Sequence, residues 1–171
     1  MTRVGLLSDT HSFLDEKVFQ YFAECDEVWH AGDFGSLETL QKLQAFKPLR
    51  GVYGNIDGHE IRIEMPLDLR FECDGVPVFM THIGGYPGRY EPRVRKILQE
   101  QPPVNGLFIS GHSHILKVIP DKTLGFLHIN PGACGNGNRW PARLPDSTRR
   151  NPGDPPGDAS SGERVVSIMG D

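Results

Sequence analysis

The sequence predicts an α/β fold, and three observations carry that expectation. From residue 3 to residue 53, short apolar runs alternate with stretches of helical periodicity, the pattern of a parallel sheet. From 67 to 81 the pattern changes to a hairpin, which opens a further set of strands. Five apolar runs end in polar residues of one chemical kind, as expected when a ligand site lies beyond the carboxyl ends of strands.

Residues 3–7 form the first apolar run, rich in Val and Leu, and stop at Ser8-Asp9-Thr10-His11-Ser12. Over 15–25, Val18, Phe19, Phe22 and Ala23 recur at helical spacing. Residues 27–30 make a second strand that ends in Ala31-Gly32-Asp33. Ser36 can cap the next helix, whose buried face is marked by Leu37, Leu40, Leu43 and Phe46 and which Pro48 stops. Residues 49–53 are the third strand, followed by Gly54-Asn55-Ile56-Asp57-Gly58.

The hairpin pairs 67–73 with 76–81 around Asp74-Gly75 and ends in Thr81-His82, ahead of a glycine-rich loop at 83–88. Residues 91–101 read as a helix stopped by Pro102-Pro103, and 104–109 as a buried strand running into Ser110-Gly111-His112-Ser113-His114. Residues 116–119 and 124–129 look like paired strands, closed by the turn Asn130-Pro131-Gly132.

These elements define one domain over 1–134, and a chain of 171 residues is long enough to bury a sizeable core. Residues 135–162 are rich in Pro, Gly and Arg and poor in large apolar residues, so a flexible segment is expected there. Its arginines, including Arg139, Arg143, Arg149 and Arg150, suit a solvated linker better than an anion-binding arm. Residues 163–171 are expected to close the sheet as a last strand or to fray.

The net charge of −4 argues against specific nucleic-acid binding and against an anionic membrane surface. No apolar run is long enough to span a bilayer, and the N-terminal stretch lacks the apolar core and cleavage site of a secretion signal. Cys25, Cys73 and Cys134 are scattered and odd in number, which disfavours a disulfide framework and a cysteine-based zinc site. A cytoplasmic protein is the expectation. A homo-oligomer is compatible with the sequence.

The strand ends carry Asp9 and His11, then Asp33, Asn55, His82, and finally His112 and His114. Each has an ordinary explanation alone: Asp9 and Asp33 could cap helices, and Asn55 could sit in a turn. Together they repeat one layout, strand then ligand, five times. If the strands lie in two packed sheets with their ends together, all seven side chains converge. Seven oxygen and nitrogen donors are too many for one transition metal and suit two that share a carboxylate. The absence of thiolates favours Mn, Fe, Zn or a similar metal. Two such ions roughly 3.5–4 Å apart can generate hydroxide from water and clamp both ends of an in-line displacement. Two divalent cations against two aspartates also leave a positive site that draws in a phosphate anion.

Asp9-x-His11, Gly32-Asp33, Gly54-Asn55, His82 and Gly111-His112-x-His114 resemble, in order, the motifs of the calcineurin-like metallophosphoesterases. Chain length and compact spacing look like the small phosphodiesterase branch related to YfcE, and the resemblance covers residues 3–132. It implies a four-layer α/β/β/α sandwich with a dimetal site at the C-terminal ends of the strands. It also implies a division of ligands: Asp9, His11, Asp33 and His114 on one ion, and Asp33, Asn55, His82 and His112 on the other, with Asp33 bridging. The cofactors implied are two divalent ions, Mn²⁺ first and Fe, Zn or Ni as alternatives. The activity implied is hydrolysis of small phosphodiesters or phosphomonoesters by a hydroxide held between the ions, with Asp33, Asn55 and His112 as catalytic residues. The alternative is a non-catalytic scaffold, since the retromer subunit of this fold resembles these enzymes and serves as a protein-binding platform.

One departure bears on mechanism. Many members of the superfamily place a histidine after the Gly-Asn pair to protonate the leaving group, and the compact branch often has cysteine there. This chain has Ile56, which cannot handle a proton. Asp57 or His59 are candidate substitutes, and activity is expected to favour esters with good leaving groups. Arg89, in the loop after His82, is a candidate phosphate contact. His30 and His128 are expected in the core or behind the ligands rather than among them.

Overall fold

The computed structural model describes residues 1–135 and the backbone of a strand at 166–168. In chain order the elements are β1 (Val4–Leu7), α1 (Glu16–Tyr21), β2 (Glu27–His30), α2 (Leu37–Phe46), β3 (Leu49–Gly51), α3 (His59–Glu64), β4 (Asp68–Cys73), β5 (Val76–Thr81), β6 (Gly85–Tyr86), β7 (Arg89–Tyr90), α4 (Pro92–Glu100), β8 (Leu107–Ile109), β9 (Lys117–Asp121), β10 (Phe126–Asn130) and β11 (Val166–Ile168). They form a four-stranded sheet, β11-β1-β2-β3, and a five-stranded sheet, β4-β5-β8-β10-β9.

Alternating side chains decide the layers. Leu6, Trp29, Met80 and Ile109 pack with Val4, Val78 and Ile129 between the two sheets. Leu7, Val28 and Phe34 turn the other way, onto Val18, Leu40, Leu43 and Ile61 from α1, α2 and α3. Phe79, Phe108 and Phe126 leave the second sheet on its far side and meet Val94 and Leu98 of α4. The result is the expected α/β/β/α sandwich. β1, β2 and β3 are mutually parallel, as are β5, β8 and β10, so the carboxyl ends that carry the polar residues lie along common edges.

Caps fall where side-chain chemistry puts them. Ser36 accepts the Thr39 N–H, Asp15 that of Lys17, and Glu91 that of Val94. The hairpin forms with Cys73 opposite Val76 and Asp74 in the left-handed region, φ 49°.

Three boundaries differ from the periodicity, and a small ladder is added. α1 ends at Tyr21 rather than 25, because the chain must turn for the Asp26 N–H to pair with the Arg3 carbonyl at the mouth of β2. β3 ends at Gly51, after which the Tyr53 N–H goes to the Pro66 carbonyl. β8 begins at Leu107, since 102–106 is a turn whose Asn105 has φ 56° and Val104 faces solvent. The glycine-rich loop contains a small two-stranded ladder, Gly85–Tyr86 with Arg89–Tyr90. α3 escapes the apolar pattern altogether: it has six residues, buries only Ile61 and starts at Gly58 without a side-chain cap.

β11 pairs antiparallel with β1, Val4 opposite Ile168. The expectation of a flexible segment over 135–162 concerns residues that, Gly135 excepted, lie outside those described. Among the described residues, no helix is long and apolar enough to cross a membrane.

Candidate metal centre

The loops that follow the strands are stitched together by their backbones. The N–H groups of Asp9 and His11 donate to the carbonyls of Gly32 and Asp33, and that of Gly111 to the carbonyl of His82. Asn130 Nδ2 donates to the Gly111 carbonyl at 2.6 Å and to Ser113 Oγ at 3.1 Å, which holds the His112 loop down. Two glycines permit this closeness. A Cβ on Gly54 would overlap the Asp33 carboxylate, and one on Gly111 would overlap Ser8 Oγ and lie 3.0 Å from Asp9 Oδ2.

The backbone is strained where the polar side chains are. Asp9, His11, Asp33, His112 and His114 all have positive φ, between 48° and 67°. Each such non-glycine residue costs roughly 1 kcal/mol, and strain of this kind collects at functional sites.

Two groups of potential ligand atoms result: Asp9, His11 and His114 in one, Asp33, His82 and His112 in the other. Asp9, Asp33 and His82 form a buried floor, while His11 and His112 are exposed. His11 Nε2 lies 3.7 Å from Asp33 Oδ2 and 3.2 Å from His114 Nε2, so the groups adjoin. Asn55 joins the second group, its Oδ1 3.1 Å from His82 Nε2. All seven strand-end residues are therefore brought together.

The hydrogen-bond pattern is that of a cation site. His82 Nδ1 donates to the Ala31 carbonyl at 2.8 Å. In the neutral ring this leaves Nε2 as a bare lone pair, and it faces two more acceptors, Asp33 Oδ2 at 3.2 Å and Asn55 Oδ1. A histidine that gives its other N–H to a backbone carbonyl is oriented for a metal. Asp9 Oδ1 is buried without a hydrogen-bond partner, with His114 Nε2 at 3.3 Å. Buried acceptors that face one another need a positive charge between them.

Protons answer that need when no metal is present. Burial pulls the His82 ring down, the largest single effect. Its bond to Asp33, the charges of Asp9 and Asp33 and the Ala31 carbonyl outweigh burial, and its pKa is raised. His114 is raised chiefly by the Asp9 carboxylate, 3.3 Å from its Nε2. Burial pushes Asp33 up, but His82, the Ile56 N–H and His11 hold it below the ordinary carboxylate value. Both rings must shed a proton to bind a metal. Mn²⁺ affinity of the metal-free protein is therefore expected to rise with pH until those pKa values are passed, by about tenfold per pH unit for each proton released. Calorimetric titrations at about pH 6 and about pH 8 check the sign.

Behind the ligands lies a neutral layer. His30 is fully buried, and the Gly32 N–H donates to its Nδ1, so its proton is on Nε2, facing Thr10 Oγ1 at 3.1 Å. Burial depresses it to about 3. His128, depressed by burial to about 4, faces Ser110 Oγ at 3.0 Å. Neither reaches the centre, as expected.

Asp57 corrects the sequence reading. It is buried, and its carboxylate accepts the N–H groups of Asp33 (3.0 Å), Gly54 (2.7 Å) and Gly35 (2.8 Å). A carboxylate so committed faces the backbone and not a leaving group; it fixes the Asp33 and Asn55 loops. The turn-type spacing Gly54-x-x-Asp57 was the available signal. His59 sits exposed at the first turn of α3. Arg89 lines a cavity of about 270 Å³ together with Tyr86 and His112. A second cavity, about 330 Å³, is lined by Asn55 and His82 and by Tyr53, Arg62, Leu67 and Ile83.

Residues 2–143 match the calcineurin-like phosphoesterase superfamily domain. A probable metallophosphoesterase of Methanothermobacter thermautotrophicus is 32% identical over 137 residues, which cover 76% of each chain. In fold, the chain is similar to an archaeal phosphodiesterase, with a TM-score of 0.63 and 24% identity over 77% of this chain and 84% of the other. It is equally similar to vacuolar protein sorting 29 of Cryptosporidium parvum, with a TM-score of 0.63 and 19% identity over 78% and 75%.

Proposed function

The chain belongs to the calcineurin-like phosphoesterase superfamily, and from that premise we propose that it hydrolyses small phosphodiesters, and phosphomonoesters less readily, at a two-metal centre. The observation that carries this reading is the pair of adjoining ligand groups: Asp9 Oδ1 is buried without a hydrogen-bond partner in one, and Asp33 Oδ2 lies 3.2 Å from the buried His82 Nε2 in the other. Asp9, His11, Asp33 and His114 would hold one divalent ion and Asp33, Asn55, His82 and His112 the other, with Asp33 shared. Mn²⁺ suits this set of oxygen and imidazole donors, with Fe, Zn or Ni as alternatives. The ions would supply Lewis acidity and a water of lowered pKa.

The protein's own groups do the rest. The raised His82 and His114 rings would give up their protons on loading, so the side chains would set only the two aspartate charges against the ions. His11, His112 and Asn55 lie on the open side, where an anion arrives. Arg89, which lines the same cavity as His112, would contact a phosphate oxygen.

Ile56 sets the limit. Its N–H holds Asp33 Oδ1 at 3.1 Å, while its side chain, 45% exposed, offers no proton to a departing oxygen. Ile56→His is expected to speed alkyl diesters by about 10²-fold, the low end of proton assistance, and to leave p-nitrophenyl esters nearly unchanged. The ratio of kcat on the two substrate types checks it.

The same missing proton donor, together with the likeness in fold to a vacuolar sorting protein, supports a second reading, a metal-loaded binding module without turnover. One assay separates the two: Mn²⁺-dependent hydrolysis of bis-p-nitrophenyl phosphate by wild type and His112→Ala. Turnover that needs Mn²⁺ and falls in the variant supports the enzyme. Equal rates in both proteins sink it.

A further inference from the structure

The 330 Å³ cavity opens beside Asn55 and His82, at the second ligand group, and Ile83 and Glu91 separate it from the Arg89 cavity, which they also line. Its walls are unusual for so polar a centre. Leu67 and Ile83, 43% and 39% exposed, face it across from Tyr53. Arg62 lies flat over the Tyr53 ring, its guanidinium carbon 4.8 Å from the centroid. Apolar side chains left exposed at the mouth of a site mark a surface that a ligand covers.

The two arginines of the cavity differ. Arg93 is committed: its guanidinium donates two hydrogen bonds to the Asp68 carboxylate and a third to Thr81 Oγ1. Arg62 spends Nε on the Asp57 carbonyl at 2.7 Å and one Nη on a long 3.4 Å contact with the Asn55 carbonyl. Among the described residues its other N–H groups have no partner, so it is the cation that can meet a bound anion. It sits in α3, directly after the loop that presents Asn55.

We propose that this cavity seats the leaving group, and that it selects esters of flat, aromatic, weakly basic alcohols. The inference rests on the phosphoesterase reading and deepens it. Tyr53, Leu67 and Ile83 supply walls for one ring system, and about 330 Å³ lies at the small end of ligand pockets. The chemistry agrees with Ile56. In the hydrolysis, water oxygen forms the new bond to phosphorus and its proton passes to solvent. The bond from phosphorus to the leaving oxygen breaks, and its electron pair stays on that oxygen, which departs as the anion. With no proton to receive, the anion must be stable by itself, as an aryl oxide is, and Arg62 is placed to hydrogen-bond it.

Methyl p-nitrophenyl phosphate tests this, because its one aryl group can only be the leaving group. With Mn²⁺-loaded protein, Leu67→Gln is expected to raise KM roughly fivefold to tenfold by removing an apolar wall. Arg62→Gln is expected to lower kcat by about tenfold through loss of a charged hydrogen bond. In both variants the inhibition constant of inorganic phosphate, which fills only the metal end, stays within about twofold of wild type. That last readout separates cavity occupancy from damage to the Asn55 loop. If both variants keep wild-type KM and kcat, the inference falls while the enzyme reading stands. If wild type loaded with Mn²⁺ shows no turnover, the enzyme reading falls and takes the inference with it.

Discussion

Asp33→Asn is expected to lower Mn²⁺-dependent turnover of bis-p-nitrophenyl phosphate by well over the roughly 10–100-fold typical of a residue one layer behind a metal. Asp33 is the residue through which the two ligand groups meet. Its Oδ2 lies 3.2 Å from His82 Nε2 in one group and 3.7 Å from His11 Nε2 in the other. The amide keeps shape, keeps an oxygen for the Ile56 N–H and tolerates the φ of 62°. It removes the charge that both groups share. Asp33→Ala is expected to lose as much activity and to lose stability besides, because a β-carbon alone neither accepts the Ile56 N–H nor suits a left-handed backbone. Steady-state rates and thermal unfolding on the pair separate charge from structure. An Asp33→Asn protein with wild-type rates would remove Asp33 from the centre.

Asp57→Ala is expected to cost about 3–6 kcal/mol of stability, measured by urea denaturation. The estimate follows from three N–H groups, those of Asp33, Gly35 and Gly54, stripped of their acceptor at about 1–3 kcal/mol each, with water reaching part of the space. A domain with 5–15 kcal/mol to start with would be left marginal. Asp57→Asn keeps one good acceptor oxygen and turns an N–H toward a donor, so it should fall between the two. Activity is expected to fall with stability, since the same bonds set the Asp33 and Asn55 loops.

The layers and the seven strand-end residues that converge were legible in the sequence, for a physical reason. Strand periodicity is local, and a polar residue that ends an apolar run is visible without knowledge of its neighbours. Asp9, Asp33, His82 and the His112-His114 pair were legible in that way. Asp57 was not: two of its three partners lie 22 and 24 residues away, and from its neighbours alone it looks like a turn residue. α3 was missed because one buried residue in six makes no period. The left-handed backbone of Asp9, His11, Asp33, His112 and His114 was also invisible, since aspartate and histidine do not announce a positive φ as glycine does. The cavity beside Asn55 draws on Tyr53, Arg62, Leu67 and Ile83, which come from four separate stretches of chain.

The central claim is a centre built for two ions. Calorimetric titration of the metal-free protein with Mn²⁺ tests it most directly, followed by the rate on bis-p-nitrophenyl phosphate at each point. The predicted result is two ions bound per chain, with turnover complete only after the second. A protein with all seven side chains intact that binds one ion or none, or that turns over without any, would contradict it.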